Sequence, residues 1–427
     1  MKIKIESGRV IDPANKIDQV KDIYIADGLI VSIGSVPESF SPDKIIDAKN
    51  QIVCPGLVDM RVRLREPGFE YKATIASETQ AAAASGITTL CCPPDTLPVI
   101  DTPAVLELIR HRANEAGFAK IVAIGALTKN LAAEKISEMY ALKKAGCVGV
   151  GNALKSVTNG LMMRRAMEYA LSQDLTVFLH AEDSYLRGEG CAHEGPVSIR
   201  LGLAGIPEVA ETIAVSRELA LIELTGVKAH FSGLSTSTSV RMISRAQFEG
   251  LPVTADVAVN HLYLTDTDIG EFDTSLNVRP PFRTQRDRDG LRAALTERTI
   301  SAICSDHQPH ETDAKLGTFG DAEPGISGLE TLLPLVLRLV DDKLMSLSEA
   351  IECVTINPAE ILGINAGTLS VGECADVCIF SLDNDWRLTA ESMWSEGKNT
   401  PYLGWEFSAK VSHTLLDGRI VYQDRQH

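Results

Sequence analysis

Apolar and polar residues alternate along this chain with two different periods. Residues 1–51 and the segment after about residue 365 carry short apolar runs bounded by turn signals such as Asp27-Gly28 and Asp417-Gly418. This pattern is typical of β-hairpins, because Asp-Gly supplies the positive φ that tight turns need. Between these segments, strand-like apolar runs alternate with amphipathic helical runs, which indicates a central α/β region flanked by two β segments.

Eight strand candidates alternate with helical runs in the central region. The predicted strands are 57–63, 88–92, 121–124, 149–151, 176–180, 228–231, 252–257 and 300–305. The predicted helices are 74–84, 103–116, 132–145, 161–173, 207–225, 237–249, 284–296, 328–340 and 346–355. Eight β/α alternations favour an α/β fold with a (β/α)8 TIM barrel over a doubly wound open sheet.

The two flanking β segments are similar in style, and neither contains a long helical run. Strands are predicted at 2–6, 8–11, 22–25, 29–33 and 44–47 in the first segment, and at 376–380, 410–416 and 420–422 in the second. We therefore expect residues 1–52 and 365–427 to form one small β-sandwich domain built from both chain ends. The barrel is expected to comprise residues 53–364.

Composition and charge exclude several classes of protein. The chain has 427 residues, 44% of them hydrophobic, which suits one large α/β unit with a smaller accessory domain. The net charge of −16 argues against partners such as nucleic acid or an anionic membrane surface. No apolar run approaches the length of a membrane span, and the first residues lack a signal-peptide core. The nine cysteines lack Cys-x-x-Cys spacing, so we expect buried free thiols in a cytoplasmic protein.

The most informative stretch is 53–67, in which a Pro-Gly turn leads into the first barrel strand. Side chains alternate across a strand. One face is therefore expected to carry Leu57, Asp59, Arg61 and Arg63, and an apolar face to carry Val58, Met60, Val62 and Leu64. Arg61 and Arg63 would then project from the C-terminal end of the strand, which is the end of a barrel where chemistry takes place.

The ends of three other strands supply groups that can bind a metal ion. His180 ends strand five, His230 lies in strand six, and Asp306 follows strand eight. Each residue alone is more often a hydrogen-bonded core residue. Together at corresponding strand ends, two imidazoles and a carboxylate indicate half of a zinc site.

Seven motifs occur at distinctive spacings along essentially the whole chain. They are Pro55-Gly-Leu-Val-Asp59, Leu64-Arg-Glu-Pro-Gly68, Leu179-His-Ala-Glu-Asp183, Ser305-Asp-His-Gln-Pro-His310, Gly325-Ile-Ser-Gly-Leu-Glu330, Gly367-Thr-Leu-Ser-Val-Gly372 and Tyr402-Leu-Gly-Trp405. With them the chain resembles the amidohydrolases, and within them the long dihydroorotases of pyrimidine synthesis. The resemblance implies a barrel with a split β domain, a binuclear metal site and hydrolysis of a cyclic amide. It also implies four substrate-binding positions, Arg65, Asp95, Arg279 and His310.

The chain departs from active dihydroorotases at the metal-binding positions. Active members carry His-x-His where this chain has Arg61-Val62-Arg63, and a bridging Asp where it has Ala153. They carry Asn where this chain has Asp95, and Asn-Pro-Pro where it has Arg279-Pro280-Pro281. Three ligand positions are therefore lost, and the positions retained are His180, His230 and Asp306.

These substitutions change what the site can do. A guanidinium has no acceptor lone pair and stays charged, so it cannot bind zinc and would repel it. We therefore expect no metal and no catalytic residue, with Asp306 as a vestigial base. His180, His230 and Asp306 become vestigial ligands, and the four substrate-binding positions become vestigial as well. We also expect Arg61 or Arg63 to pair directly with Asp306.

Three functions follow as hypotheses. The first is an inactive dihydroorotase-like chain kept for assembly, because the resemblance includes noncatalytic chains that are partners of the catalytic subunit of aspartate transcarbamoylase; such a chain is expected to be a homo-oligomer. The second is an active cyclic amide hydrolase with a mononuclear zinc site on His180, His230 and Asp306. The third is a sensory barrel in which three arginines, at 61, 63 and 65, bind an anionic metabolite.

Overall fold

Eight parallel strands form the centre of the molecule, which a computed structural model describes over residues 1–424. These barrel strands one to eight are Leu57–Asp59, Ile87–Cys92, Lys120–Ala126, Gly149–Gly151, Thr176–Leu179, Ala229–Phe231, Val253–Ala258 and Ala302–Cys304. Each strand pairs in parallel with the next one. A parallel bridge between Val62 and His307 joins the ends of strands one and eight. The predicted (β/α)8 barrel is therefore confirmed.

Helices cover the outside of the barrel. They are Ile75–Ala84, Pro103–Ala116, Met139–Ala145, Gly160–Ser172, Ser184–Arg187, Pro196–Leu201, Val209–Thr225, Ser237–Phe248, Gln285–Thr296, Leu329–Asp341, Leu347–Glu352 and Ile356–Leu362. Local chemistry sets their ends. Thr74 and Ser77 form a capping box at the first helix, and Gly117, in the left-handed region, ends the second. Apolar side chains between strands and helices form the largest hydrophobic cluster.

The predicted helix 132–145 is wrong in its first half. Only Met139–Ala145 is helical. Ala133 has a φ of 58°, and a bridge pairs Thr128 with Ile136. A left-handed residue and an extended pairing both interrupt a right-handed helix, so the chain enters the helix only after this bridge.

The first barrel strand is shorter than predicted, because it ends at Asp59 and the chain bends at the next residue. Val58 and Met60 pack into the cluster inside the barrel, whereas Val62 and Leu64 pack into the outer cluster under the helices. The prediction of one continuous apolar face is therefore wrong. The bend reverses the alternation, so that both arginines of this stretch face the mouth of the barrel.

A β-sandwich built from both chain ends lies beside the barrel, as predicted. Its four-stranded sheet has the order Leu29–Ile33, Ile23–Ala26, Lys2–Glu6, Lys44–Asp47. Its six-stranded sheet has the order Arg419–Gln423, Lys410–Leu416, Val377–Ser381, Ile52–Pro55, Arg9–Asp12, Ile17–Val20. The six-stranded sheet thus takes three strands from each end of the chain and extends past residue 52, where the first β segment was expected to end. A separate core of mostly isoleucine side chains lies between the two sheets.

Two further observations concern membranes and thiols. Within residues 1–424, no helix combines the length and the apolar character needed to cross a membrane. All nine cysteines are free, as predicted; seven of them are buried, whereas Cys191 is half-buried and Cys374 is exposed.

Candidate functional site

Asp306 lies just after barrel strand eight, where the side chains of two arginines meet it. Arg61 Nε lies 2.9 Å from Asp306 Oδ1, and Arg63 Nη1 lies 3.4 Å from the same oxygen. All three side chains are more than nine-tenths buried. Gln308 Nε2 also donates a hydrogen bond to this oxygen at 3.2 Å. The predicted pairing of a guanidinium with Asp306 is confirmed, and both arginines take part in it.

The charges at this point balance. Burial is the largest single effect and would lower the pKa of Arg61, but the nearby negative groups, Asp306 first and then Asp256 and Asp59 among others, together outweigh burial and raise the pKa. Arg63 Nε donates to Asp95 Oδ2 at 2.8 Å, so the second guanidinium has a carboxylate of its own. Two cations and two anions therefore close the barrel mouth between strands one, two and eight.

Arg61 also packs against the backbone that follows strand six. A Cβ built on Gly233 would come within 2.2 Å of Arg61 Nη1, and Gly233 has a φ of 67°. Both observations require glycine at this position. Gly233 N donates to Asp256 Oδ1 at 2.6 Å. Burial of Asp256 opposes its charge, but Arg61 and the bond from His230 outweigh burial and hold the pKa of Asp256 below its usual value.

His230 is fully buried and uses both of its ring nitrogens. Its Nε2 lies 3.1 Å from Asp256 Oδ2, and its Nδ1 lies 2.8 Å from Thr254 Oγ1. These partners lie on strand seven, inside the barrel. His230 is therefore part of an internal hydrogen-bond network, and neither of its nitrogens is free to bind a metal ion.

His180 and Glu182 lie on the opposite side of the mouth. His180 Nε2 has no hydrogen-bond partner among the residues described and lies 3.8 Å from Glu182 Oε2. Burial lowers the pKa of His180. Arg279 binds Glu182 with two nitrogens, Nε at 3.1 Å from Oε2 and Nη2 at Oε1. Burial opposes the charge of Glu182, but the His180 ring and the Arg279 guanidinium outweigh burial and lower its pKa to about 2. Arg279 is thus committed to an internal ion pair.

Arg65 and His310 contact each other. Arg65 Nε donates to Pro309 O at 2.9 Å, and its Nη2 lies 2.9 Å from His310 Nε2. Lys72 Nζ lies 3.2 Å from His310 Nδ1. Burial and the two nearby cations lower the pKa of His310 to about 2, so its ring is neutral at physiological pH. These side chains bind one another and the loop after strand eight.

The loop 311–323 is folded onto the body of the protein. Phe319 is 2% exposed. Asn277 Nδ2 donates to Phe319 O at 2.8 Å and to Ala322 O at 2.9 Å. Lys315 Nζ donates to Glu323 O at 2.6 Å, which closes the loop on itself. The loop is therefore held by an apolar anchor and by hydrogen bonds at both of its ends.

Little space remains at the barrel mouth. The cavity there has a volume of about 40 Å³, and its lining includes Arg61, Arg63, Ala153, Phe178 and His180. This is room for about one water molecule, whereas small-molecule sites measure several hundred cubic ångströms. Ala153 has a φ of 48°, a conformation that Asn and Asp adopt far more readily than Ala. That backbone fits a position where active dihydroorotases carry Asp.

The donor set does not fit the metal site that the resemblance implies. Over residues 1–424, no three His, Cys, Asp or Glu side chains converge in a way that could hold a metal ion. Asp306 Oδ1 faces two guanidiniums and both nitrogens of His230 are engaged, whereas His180 Nε2 has no hydrogen-bond partner among the described residues. A guanidinium offers no lone pair in place of the missing ligands.

Sequence reasoning missed two residues of this site, Asp256 and Gly233. Asp256 is a lone carboxylate within a predicted strand, and a charge in a buried strand needs a partner, so this was an available signal. Gly233 follows strand six, where an isolated glycine signals close approach of another group. The guanidinium of Arg61 is the group that connects them.

Comparison with known proteins agrees with this fold and with the sequence motifs. A family model described as dihydro-orotase-like matches residues 50–239, and one described as amidohydrolase family matches residues 312–422. A dihydroorotase-like protein of Pseudomonas aeruginosa is 48% identical over 423 residues, covering 99% of this chain and 100% of the relative. A dihydroorotase of Geobacter sp. strain M21 is 42% identical over 423 residues, covering 99% of this chain and 100% of the relative.

A solved structure extends the comparison to the fold. L-hydantoinase (dihydropyrimidinase) from Arthrobacter aurescens superposes with a TM-score of 0.88 at 24% identity, covering 99% of this chain and 96% of that chain. This likeness shows the shared architecture of barrel and β domain. From the full-length sequence similarity, the chain belongs to the dihydroorotase-like proteins of the amidohydrolase superfamily.

Proposed function

We propose that this chain is a noncatalytic dihydroorotase-like protein of pyrimidine biosynthesis that serves as a structural subunit for aspartate transcarbamoylase. The observation that carries the proposal is the buried cluster of Arg61, Arg63 and Asp306. In this cluster two cations stand where the resemblance implies zinc ligands, and they bind the carboxylate that would act as the base.

The chemistry of the reaction supports the absence of activity. Hydrolysis of a cyclic amide in this family needs a metal-bound hydroxide and a Lewis acid at the carbonyl. A general base must also come within hydrogen-bond reach of the proton that it removes. Asp306 Oδ1 is taken by two guanidiniums and Gln308, and a cavity of about 40 Å³ does not admit a ring-shaped substrate.

The proposed partner rests on the resemblance, which includes noncatalytic chains that accompany aspartate transcarbamoylase. The internal ion pairs support it, because a barrel mouth neutralised by its own side chains needs no bound metal to balance its charge. Such a barrel can present a constant outer surface to a partner. We further propose that the protein works in the cytoplasm and forms a homo-oligomer.

A metal and activity measurement tests the catalytic part. We expect purified protein to contain no zinc above background and to turn over dihydroorotate at least ~10⁴-fold more slowly than an active dihydroorotase assayed in parallel. The matched variant Arg61→His/Arg63→His restores two imidazoles beside Asp306 and is expected to retain zinc after dialysis. Stoichiometric zinc with matching hydrolysis in the unmodified protein would contradict the proposal.

Size-exclusion chromatography with light scattering tests the partner. We expect this chain and the aspartate transcarbamoylase catalytic subunit of the same organism to elute together, earlier than either alone. The catalytic subunit of a distant organism serves as the control. Separate elution would remove the partner from the proposal and leave the catalytic conclusion in place.

One observation favours the alternative, a cyclic amide hydrolase with one zinc ion on His180, His230 and Asp306. His180 Nε2 has no hydrogen-bond partner in the part of the chain that the structure describes, so one ligand atom is available. In this alternative, His180→Ala abolishes zinc binding and hydrolysis together. In the noncatalytic protein the same substitution changes neither measurement.

A further inference from the structure

A groove far larger than the barrel mouth lies where the barrel meets the β-sandwich. Its volume is about 810 Å³. We call it the junction groove, and the residues that matter for its chemistry are Glu330, Trp386, Trp394, Tyr422, Lys410 and Arg387. The groove lies between helices Ile75–Ala84 and Leu329–Asp341 on the barrel side and the last two strands of the six-stranded sheet on the other. Its volume is within the range of small-molecule sites.

Glu330 is a buried carboxylate of this groove that forms no ion pair with any residue in the range 1–424. Glu330 is only 9% exposed. Oε1 accepts a hydrogen bond from Trp394 N, and Oε2 has no hydrogen-bond partner in the described range, residues 1–424. Burial, and then the nearby charge of Glu78, raise the pKa of Glu330 to about 7. The last residue of the motif 325–330 thus places an uncompensated acid in the wall of the groove, with its unpaired Oε2 just beneath the surface.

The cations around the groove are engaged elsewhere. Lys410 Nζ pairs with Asp424 Oδ2 at 2.8 Å, and Arg387 Nε donates to Gly404 O at 3.0 Å. Lys398, the cation that acts electrostatically on Glu330, donates to backbone carbonyls at 393 and 395. No Lys, Arg or His within residues 1–424 forms an ion pair with Glu330, so its charge is left for a ligand to match.

Aromatic rings form part of the wall beside this carboxylate. Trp394 is 43% exposed, and its ring meets that of Tyr422 edge to face, with centroids 5.9 Å apart. Trp386 also lines the groove, with its Nε1 bonded to Ala409 O at 2.6 Å. Faces of Trp and Tyr attract organic cations through the ring quadrupole. An accessible indole and a buried carboxylate in one groove are the elements of a cation site.

We propose that the junction groove binds a small organic cation, a guanidinium or primary ammonium group on a short apolar stem. The Glu330 side chain turns toward the groove to bond the cationic group, and the stem lies against Trp394 and Tyr422. Charge-assisted hydrogen bonds favour the cation over a neutral isostere. The site is separate from the barrel mouth, and this inference does not rest on the proposed function.

Calorimetric titration of the full chain at pH 8 tests the proposal, with 1-butylguanidinium as the probe and 1-butylurea as its neutral isostere. We expect butylguanidinium to bind at least about tenfold more tightly, because only the cation gains the bond to a charged group and the cation–π contact. Glu330→Gln is expected to reduce this preference to less than about threefold. Glu391→Gln, at an exposed position on the rim of the same groove, is expected to keep the preference.

Two further arms sharpen the test. Trp394→Leu keeps the backbone N–H that Glu330 accepts and removes the ring, so it is expected to weaken butylguanidinium binding about threefold or more and to quench less tryptophan fluorescence. An acetylated Gly-Arg-Gly amide presents the same group on a peptide. Equal binding of the two small probes, no binding of either, an unchanged preference in Glu330→Gln, or binding of the peptide alone would each overturn the proposal.

Discussion

The barrel mouth and the junction groove each contain a buried carboxylate, but only the carboxylate at the barrel mouth forms ion pairs with described residues. Asp306 Oδ1 has two guanidinium nitrogens at 2.9 and 3.4 Å, and the cavity that these two arginines line has a volume of about 40 Å³. Glu330 forms no ion pair within residues 1–424 and lies in the wall of a groove of about 810 Å³. The first acid is paired with cations of the same chain, whereas the second has no such pair in the part of the chain that the structure describes.

This difference distinguishes a carboxylate that holds the fold together from one that can bind a ligand. A carboxylate that internal cations satisfy holds elements together but has nothing left to offer a ligand. A buried carboxylate without a partner has a raised pKa, and its charged form lowers the stability of the fold. Groups with a perturbed pKa in cavities are candidates for function. The position where the family implies catalysis is therefore the less suitable of the two regions for binding in this chain.

The largest expected effect comes from breaking the closed region. Asp306→Ala leaves two buried guanidiniums around an empty position and should lower the free energy of unfolding by about 3–5 kcal/mol, because an unpaired buried charge is costly. Urea denaturation measures this loss. Asp95→Ala is the matched control, since the Asp95 side chain is 26% exposed, and it should cost about 1 kcal/mol. Equal losses for the two variants would contradict the view that Asp306 closes the mouth.

The contact between Arg61 and the backbone after strand six is the next target. Gly233→Ala should lower the free energy of unfolding by about 2–4 kcal/mol, because it adds a Cβ against the guanidinium and a left-handed φ. Gly226→Ala is the control: Gly226 has a φ of 71° and open space around it, so it should cost about 1 kcal/mol. The difference in urea midpoint between the two variants isolates the Arg61 contact, and no difference would argue against it.

Glu330→Gln tests whether the carboxylate of the junction groove makes the free energy of unfolding depend on pH. The folded pKa of Glu330 is raised to about 7, above the value near 4.3 of an unfolded chain, so the folded state holds its proton more strongly. The contribution of Glu330 to the stability of the unmodified protein should therefore fall as pH rises from about 4.5 through 7. At pH 8 the variant should gain roughly 1–3 kcal/mol relative to the unmodified protein, compared with their difference at pH 5. Unfolding free energies at both pH values measure this, and a pH-independent difference would show that Glu330 is compensated.

The smallest effect is expected at the rim of the groove. Lys410→Ala removes an ion pair with Asp424 in which the two side chains are 28% and 10% exposed. Such a pair near solvent should contribute less than about 1 kcal/mol to the free energy of unfolding. A thermal melt in low and high salt measures it. If Lys410→Ala lowered the free energy of unfolding as much as Asp306→Ala does, the ion pair at the rim of the groove would matter as much to stability as the one at the barrel mouth.

Much of the fold could be predicted from the sequence because its patterns are local. Buried parallel strands read as short apolar runs between amphipathic helices, and Asp-Gly turns mark the sandwich. The sequence alone also predicts that Arg61, Arg63 and Asp306 lie together, since the parallel strands of a barrel end at one face. What failed depends on tertiary context: the bend after Asp59 reverses an alternation that looks regular in sequence, and Ala133 takes a left-handed conformation that composition does not signal.

The electrostatics of the site were less predictable for the same reason. Whether a carboxylate is compensated depends on which cations reach it through space, and the sequence places Asp256 and Glu330 far from the groups that decide their charge. Arg279 illustrates the difficulty. Its position was predicted, but its ion pair with Glu182 joins residues that are distant along the chain.

The interleaved six-stranded sheet has a consequence for how this protein is made. Strand Ile52–Pro55 lies antiparallel to strand Val377–Ser381, with Cys54 opposite Cys378 in the register. The sandwich therefore cannot assemble while the C-terminal strands are still inside the ribosome. The strands at 377–423 must be synthesised first, and pairings between such distant residues form slowly. The barrel can begin to fold during translation, whereas the sandwich is completed only after these strands have left the ribosome. Until then its unpaired strand edges are the part of the nascent protein most exposed to aggregation.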